Sequence, residues 1–572
     1  MASLTDNPGA GIGFTIRAEK PRPGPRAPSS AVEGAERIAS DYASYLRDES
    51  RLSGGNASRL VFPKNEAEIA SFLSAMNAQG VPVTVSGGRT GIVGGAVPPG
   101  GALLSLEKMD ALLDLGRDGK TGEWFVRAQP GILLKTLHRR IEKKDLADLA
   151  DSPGGADPAA LREFLASPAP YFYPVDATET SATLGGTVAT NASGERSYRY
   201  GPTRKYVRAL RVVLAGGDVM CLRRGETAAD RDRRFEIITT AEEKISLVLP
   251  RYRLPAVKSA AGYFAADGMD LIDLFIGSEG TLGVISEIEA RIVPRPESIL
   301  SLVPFFPSEA DALGFFLEAR PAFPDALVFE YFDSASLDIL REKKEAEGTG
   351  SPLPPLPEKA RAAIFLELVF TEERLEDLTL ALEEILQRHH SSTDETWTGI
   401  EPGEREKVRL FRHALPEAVN EIVAKNQRAC AAVHKMSTDL AVPEAKLSEM
   451  LGFYAERLRA SGLPHAVFGH IGENHLHVNL LPRTEEELAR AKSLALEFSR
   501  KAVELGGTVS AEHGIGKLKH PYLEILYGKE GMKEMARVKA ALDPKGILGR
   551  GNIFPESYLP APTRPRECQA KA

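Results

Sequence analysis

Cysteine is nearly absent. The 572 residues contain only Cys221, Cys430 and Cys568, far apart and with no CxxC pair. A disulfide scaffold is thereby excluded, and so is a four-cysteine zinc or iron–sulfur site. Long apolar runs are also missing: none reaches the ~18 residues that a bilayer span requires. The first thirty residues lack the apolar stretch and the cleavage pattern of a secretory signal. Positive charge is not in excess, with 71 Lys+Arg against 79 Asp+Glu and a net charge of -8. A nucleic-acid-binding surface and a polybasic membrane anchor both need clustered positive charge, so neither is expected. Neither G-x-x-x-x-G-K-[ST] nor G-x-G-x-x-G occurs, which removes support for nucleotide hydrolysis and for a Rossmann-type dinucleotide site.

What is present describes a globular, multidomain chain. Apolar residues at 43% and charged residues at 26% suffice for a buried core. The stretch to about Ser30, rich in proline and glycine, reads as a flexible leader. A helix is expected over 31–51 and another over 65–79, where Ile69, Phe72, Leu73 and Met76 recur at helical spacing. Strands are expected at 81–85, 103–106, 124–129, 209–217 and 283–293, after which Pro294 and Pro296 mark a boundary. Beyond it, strands at 301–306, 326–332 and 363–370 alternate with helices at 308–320 and 372–389, which suggests a sheet with helices on one face. Residues 343–359 read as a proline- and glycine-rich loop, and further helices are expected at 443–461 and 485–505.

Glycine, at 51 residues, is clustered rather than scattered. SGGRTGIVGGAVPPGG (86–101) follows a strand, and YPVDATETSATLGGTVATNASGERSYRYGPTRKYV (173–207) is too long for a plain connector. DLFIGSEGTLGVISEI (273–288) turns into a buried strand. Consecutive exposed N–H groups in glycine-rich backbone make anion-binding concavities. Ordinary turns would explain any one segment; the three together indicate a domain wrapped around a large phosphate-bearing ligand.

Histidine forms the second concentration. In GHIGENHLHVNLL (469–481), His475, His477 and Asn479 alternate along one strand and so share a face. AEHGIGK (511–517) adds Glu512 and His513. Imidazoles and a carboxylate make a ligand set suited to Zn, Mn or Fe(II). A single strand histidine is more often a plain core or surface residue, but the combination shifts the balance toward a divalent metal.

VPVTVSGGRTGIVGGAVP, TSATLGGTVATNASG followed by YGPTRKYV, and GSEGTLGVISEI resemble the FAD-binding domain of the vanillyl-alcohol oxidase/p-cresol methylhydroxylase superfamily. Within it, the chain is similar to the branch of D-lactate dehydrogenase, D-2-hydroxyglutarate dehydrogenase and the glycolate oxidase flavin subunit, from about Tyr42 to Phe554. The resemblance implies an α+β fold: a two-part FAD-binding domain of the vanillyl-alcohol oxidase type and an inserted α+β substrate (cap) domain with an antiparallel sheet and flanking helices. The expected division is a leader at 1–30, the FAD-binding domain at 31–295, the cap at 296–505, a returning segment at 506–555 that completes the active site, and a flexible tail at 556–572.

The resemblance also implies roles. Ser86, Gly87, Gly88, Arg89, Thr90 and Gly91 would hold the FAD pyrophosphate. Thr178, Ser181, Gly185, Gly186, Asn191, Gly194 and Tyr200 would line the isoalloxazine and ribityl side, and Glu279, Gly283 and Ile285 the adenine end. GHIGENHLHVN matches the branch motif G-H-x-G-D-G-N-L-H-x-N, and AEHG matches G-E-H-G. By that mapping His470, His477 and Glu512 bind a divalent metal, His513 is the base and Asn479 contacts substrate. The chain departs from the motif at Glu473, Asn474 and His475, so His475 could be an additional ligand or meet the far end of the substrate. FRHALPEAVN (411–420) resembles R-x-x-[IL]-P-E-A and makes Arg412 the fork for the substrate carboxylate. KMSTDLAVP (435–443) resembles a stretch in which a lysine contacts substrate; Ser437 takes that place here. KSAAGY (258–263) resembles K-N-x-A-G-Y.

The activity implied is FAD-dependent, metal-assisted oxidation of a D-2-hydroxy acid such as D-lactate, with electrons passed to a separate quinone, cytochrome, electron-transfer flavoprotein or iron–sulfur partner. Arg89, with no histidine anywhere in 80–100, implies that FAD is held without a covalent bond. A cytoplasmic homodimer, at most peripheral at a membrane, is expected. The alternatives are an alkyl-dihydroxyacetone-phosphate synthase-like flavoenzyme, against which the single His513 after Glu512 argues, and the flavin subunit of a larger glycolate oxidase-type complex.

Overall fold

Asn65 starts the helix Glu66–Gln79 by accepting a hydrogen bond from the Glu68 N–H, and Gly80, left-handed at φ 67, ends it. Its stripe of Ile69, Leu73 and Met76 is buried against Leu104, Val213, Val284 and Ile547. These contacts join two sheets of a computed structural model that describes residues 15–23, 30–151, 157–175 and 179–559. Thr178, Cys568, nearly all of the tail and most of the leader lie outside the described residues.

The smaller sheet runs Ser30–Glu33, Arg59–Phe62, Ala102–Ser105, Val83–Ser86, with the last three strands parallel. The second is antiparallel, in the order Val219–Arg223, Val207–Val213, Val284–Arg291, Trp124–Ala128, Leu112–Arg117. The third, also antiparallel, is built from residues beyond 295: Trp397–Gly399, Ile299–Val303, Ala362–Val369, Val328–Phe332, His465–Gly469, His475–Leu480, Met436–Ser437.

The pleat of this third sheet decides where chemistry can occur. Phe329 and Tyr331 lie in one apolar cluster with Phe315 and Phe316 of helix Glu309–Ala322. Val328 and Phe332 lie in the opposite cluster with Phe411 and Leu415 of helix Pro402–Ala429. Glu330, between them in a period of two, shares the second face. By the same alternation Leu476, Val478 and Leu480 enter the first cluster, which leaves His475, His477 and Asn479 on the other side. Helices cover both faces rather than the one expected, because strands such as Ala362–Val369 are buried nearly end to end and need cover on each side.

Other expectations need correction. The single helix over 31–51 is instead strand Ser30–Glu33, helix Ala35–Asp41 and a 3-10 turn at Ala43–Leu46, broken at Gly34 with φ 95. Part of the expected leader, Thr15–Arg17, is a strand paired with Arg234–Ile238. The first residues of the expected loop at 343–359 belong to helix Ser334–Glu347, started by the Asp333 side chain. Among the described residues no helix is long and apolar enough to cross a membrane.

The chain returns to the small sheet at its far end. The Val83 N–H donates to the Ile547 carbonyl at 2.7 Å, and the Gly549 N–H donates to the Val83 carbonyl at 2.9 Å. A buried ion pair anchors this return: Lys539 Nζ donates to Asp543 Oδ2 at 2.9 Å and to the carbonyls of Thr281 and Leu548. Asp543 also accepts from the N–H groups of Ile547 and Leu548. Removing one partner of such a pair strands the other charge in the core. Asp543→Ala should therefore cost about 3–5 kcal/mol, read as a lowered thermal midpoint; a loss below about 1 kcal/mol would show that the pair does not hold the returning segment.

Candidate active site

The three glycine-rich segments converge on residues 511–517. A Cβ at Gly87 would lie 2.5 Å from Thr183 Oγ1, and one at Gly88 2.8 Å from the Ser181 carbonyl. The first segment therefore packs directly on the second, and only glycine permits that approach. Gly186 donates to Thr183 Oγ1, and Gly185 is pressed against Pro130. Asn191 adopts φ 50 and accepts from the Arg204 N–H, while the Gly194 carbonyl accepts from Ser197 and the Tyr200 carbonyl from the Tyr206 hydroxyl. Ser193 Oγ then reaches Glu512 Oε2 at 3.3 Å. From the third segment, the Glu279 carboxylate accepts from the N–H groups of Ile515 and Gly516. Gly283 and Ile285 pack on Val212 within the antiparallel sheet.

This arrangement suits a phosphate-bearing cofactor. Strand Val83–Ser86 ends in Ser86, whose Oγ is buried without a hydrogen-bond partner among the described residues, as is that of its strand neighbour Ser105. Beyond it Arg89 turns left-handed at φ 61, and a Cβ at Gly91 would enter open space. The Arg89 guanidinium stacks over the Tyr45 ring at 4.2 Å and lies 3.8 Å from Glu107. Thr90 completes that loop.

Histidines from the third sheet and from the turn between its last two long strands meet this convergence at Glu512. Around Glu512 Oε1 stand three imidazoles: His470 Nε2 at 3.3 Å, His477 Nε2 at 3.4 Å and His513 Nε2 at 3.5 Å. The other oxygen, Oε2, accepts from Lys258 Nζ at 2.8 Å. His470 Nδ1 bonds Glu330 and His477 Nδ1 bonds the Thr438 carbonyl, so each ring is oriented from behind. His513 Nδ1 lies 3.4 Å from Asp439 Oδ2, and its ring stacks on His477 at 5.2 Å. Asn479 is buried beside His477 and opposite Ser437. Arg412, on the helix covering this face, has Nε 3.6 Å from Glu195 and 3.8 Å from Glu330.

The electrostatics separate the histidines. Burial opposes charge on His470, but Glu330 and Glu512 outweigh it and push the imidazole up to about 10. Acids that stabilise a proton there would equally stabilise a metal cation. Burial pushes His513 down to about 3 against the pull of Asp439, and Lys519 and His477 add to the effect; its imidazole is neutral at pH 7. Burial resists ionisation of Glu512, yet Lys258 and His470 hold it well below the usual carboxylate range.

Sequence reasoning passed over Asp439, Lys258 and Glu330. Asp439 accepts from Ser510 Oγ, from the N–H groups of Glu512 and His513, and from Lys519. Lys258, in KSAAGY, lies alongside residues 508–510 and bridges Glu512 to Glu473, whose carboxylate also bonds Ser197. A departure from the branch motif, Glu473 is thus a partner of Lys258.

Comparison with known proteins gives the family of this chain. Residues 295–553 match the family of FAD linked oxidases, C-terminal domain, and residues 57–161 and 150–223 match the FAD binding domain. A D-lactate dehydrogenase of Anaerostipes hadrus is 30% identical over 521 residues, covering 89% of this chain and 92% of that protein. Glycolate oxidase subunit GlcD of Bacillus subtilis is 27% identical over 508 residues, covering 86% and 88%. In fold, the chain is similar to 4-ethylphenol oxidase from Gulosibacter chungangensis, with a TM-score of 0.59 at 18% identity, covering 91% and 94%. With the family matches covering the first two glycine-rich segments and residues 511–517, this chain belongs to the FAD-linked oxidases, in the D-lactate, D-2-hydroxyglutarate and glycolate dehydrogenase branch of the vanillyl-alcohol oxidase/p-cresol methylhydroxylase superfamily.

Proposed function

We propose that this chain oxidises a small D-2-hydroxy acid, D-lactate or a close analogue, to the 2-oxo acid, using non-covalently held FAD and a divalent metal at His470, His477 and Glu512. The observation that carries the reading is the meeting of the glycine-rich segments with three imidazoles around one Glu512 oxygen. In this reading residues 31–295 with the returning 506–555 hold the flavin, and 296–505 form the cap. When bound, FAD supplies the acceptor for the hydride of the substrate C–H bond, and the metal supplies Lewis acidity at the hydroxyl.

The residues of the chain do the rest. His513 takes the hydroxyl proton at Nε2, since Nδ1 faces Asp439, which orients the ring and stabilises the imidazolium that forms. Arg412 engages the substrate carboxylate in place of its contacts with Glu195 and Glu330. Asn479, with half-buried Ser437 opposite it, hydrogen-bonds the substrate. Electrons leave to a separate quinone, cytochrome, flavoprotein or iron–sulfur partner, because three scattered cysteines cannot build a cluster.

The holoenzyme should bleach anaerobically with D-lactate or a close D-2-hydroxy acid and not with the L form; absence of bleaching with every D acid, metal present, would refute the function. His513→Ala should retain metal and flavin yet slow single-turnover flavin reduction by about 10²–10⁴-fold. His477→Ala should lose metal and activity together, so equal metal loss in both variants would make His513 a ligand instead of the base. Acid precipitation should leave the flavin in the supernatant, and a yellow pellet would contradict non-covalent attachment.

A further inference from the structure

The branch motif carries an asparagine where this chain has His475, and nothing in the mechanism above uses that side chain. His475 opens strand His475–Leu480 two positions before His477, so the two rings emerge on one face, 4.5 Å apart between centroids. It is 0% exposed. Nε2 lies 3.0 Å from Asp439 Oδ1, yet neither ring nitrogen has a well-aligned hydrogen bond among the described residues. Burying a polar ring nitrogen without a partner is costly, so a fully enclosed histidine with unmatched ring nitrogens calls for a ligand.

We propose that His475 is a fourth protein ligand of the metal site, giving a set of three imidazoles and one carboxylate: His470, His475, His477 and Glu512. This rests on the metal-assisted reading above. One donor atom from each of these residues lies within 4.8 Å of all the others. Ligand atoms at 2.0–2.1 Å from a tetrahedral ion stand roughly 3.3 Å apart, so small rotations of side chains close the set. Asp439, 3.0 Å from Nε2, stands where it can orient the ring from behind, as in the carboxylate–histidine–metal arrangement.

Two other uses of this cluster fit less well. A site at Asp439, His477 and His513 is also compact, but Asp439 already accepts from Ser510, two backbone N–H groups and the Lys519 ammonium at 2.8 Å. That ammonium repels a second cation. Contact with the far end of the substrate needs an exposed ring, and His475 has no exposed surface. An added imidazole raises the share of nitrogen donors and favours Zn, Co or Fe over Mn, which prefers oxygen.

The test uses holoenzyme loaded with Mn(II) and labelled with ¹⁵N-histidine, with directly coordinated imidazoles counted by pulsed EPR. Three are expected in the unsubstituted protein and in His513→Ala, and two in His475→Asn and His475→Gln, each with full flavin content. Chelator competition should show metal affinity about 10–100-fold weaker in the His475 variants. Three imidazoles in His475→Asn, or two in the unsubstituted protein, would overturn the proposal, as would absence of bound metal. If the His475 variants fail to fold, His513→Ala decides: a count of three supports the set and a count of two overturns it. Flavin reduction by D-lactate, followed on the same samples, separates the two readings. Three imidazoles without reduction sustain the ligand set and defeat the substrate assignment; reduction with only two does the reverse.

Discussion

The carboxylate of Asp439 is the constraint on which the site depends. It is buried just before strand Leu440–Ala441, which pairs with the histidine strand, and it accepts from Ser510, from the backbone of Glu512 and His513, and from Lys519. Burial disfavours its ionisation, but the Lys519 ammonium beside it helps to hold it well below the usual carboxylate range. A buried charge is tolerable when every lone pair has a donor. That saturation places the backbone of Glu512 and His513 against the cap sheet, while the same acid lies within reach of ring nitrogens of His475 and His513. The Glu512–His513 backbone and two imidazoles are thus oriented from one anchored group.

Glu512 is divided between two tasks in consequence. One oxygen is tied to Lys258, which also holds Glu473, and the other is turned to the imidazoles. Behind them a second layer of charge runs from His470 through Glu330 and Arg412 to Glu195 and Arg409. Buried ion pairs add little net stability compared with apolar packing of the same volume. They are concentrated on the face of the third sheet that carries Glu330, His475, His477 and Asn479. The other face, with Leu476, Val478 and Leu480, is apolar and carries the packing.

The glycine-rich segments perform the matching task on the flavin side. Gly87 and Gly88 permit contact with Ser181 and Thr183, Ser193 reaches Glu512, and Glu279 fastens the backbone after His513. Cofactor loops and acid–histidine cluster therefore share one set of backbone anchors, and a shift of the 511–517 segment would move both.

Much of this was legible in the residues alone. The glycine segments, the alternation of His475, His477 and Asn479, the Glu512–His513 pair and most strands follow from local rules of period, turn chemistry and ligand type. Helix Pro402–Ala429, dense in charge along its first turns, conceals an apolar stripe of Val408, Phe411, Leu415 and Val419 that only its packing partners make evident. The one-face covering of the third sheet failed for the same reason: a strand's pattern shows that it is buried but not what covers each side. Lys258, Glu330 and Asp439 carry no local signature. Lys258 is 254 residues from Glu512, and Glu330 is 140 from His470. Sequence determined which chemical groups and which local backbone shapes were available; tertiary structure alone decided which charges meet, because a buried carboxylate or ammonium is defined by the partners that distant segments bring to it, and pairing at such range leaves no periodicity in the chain.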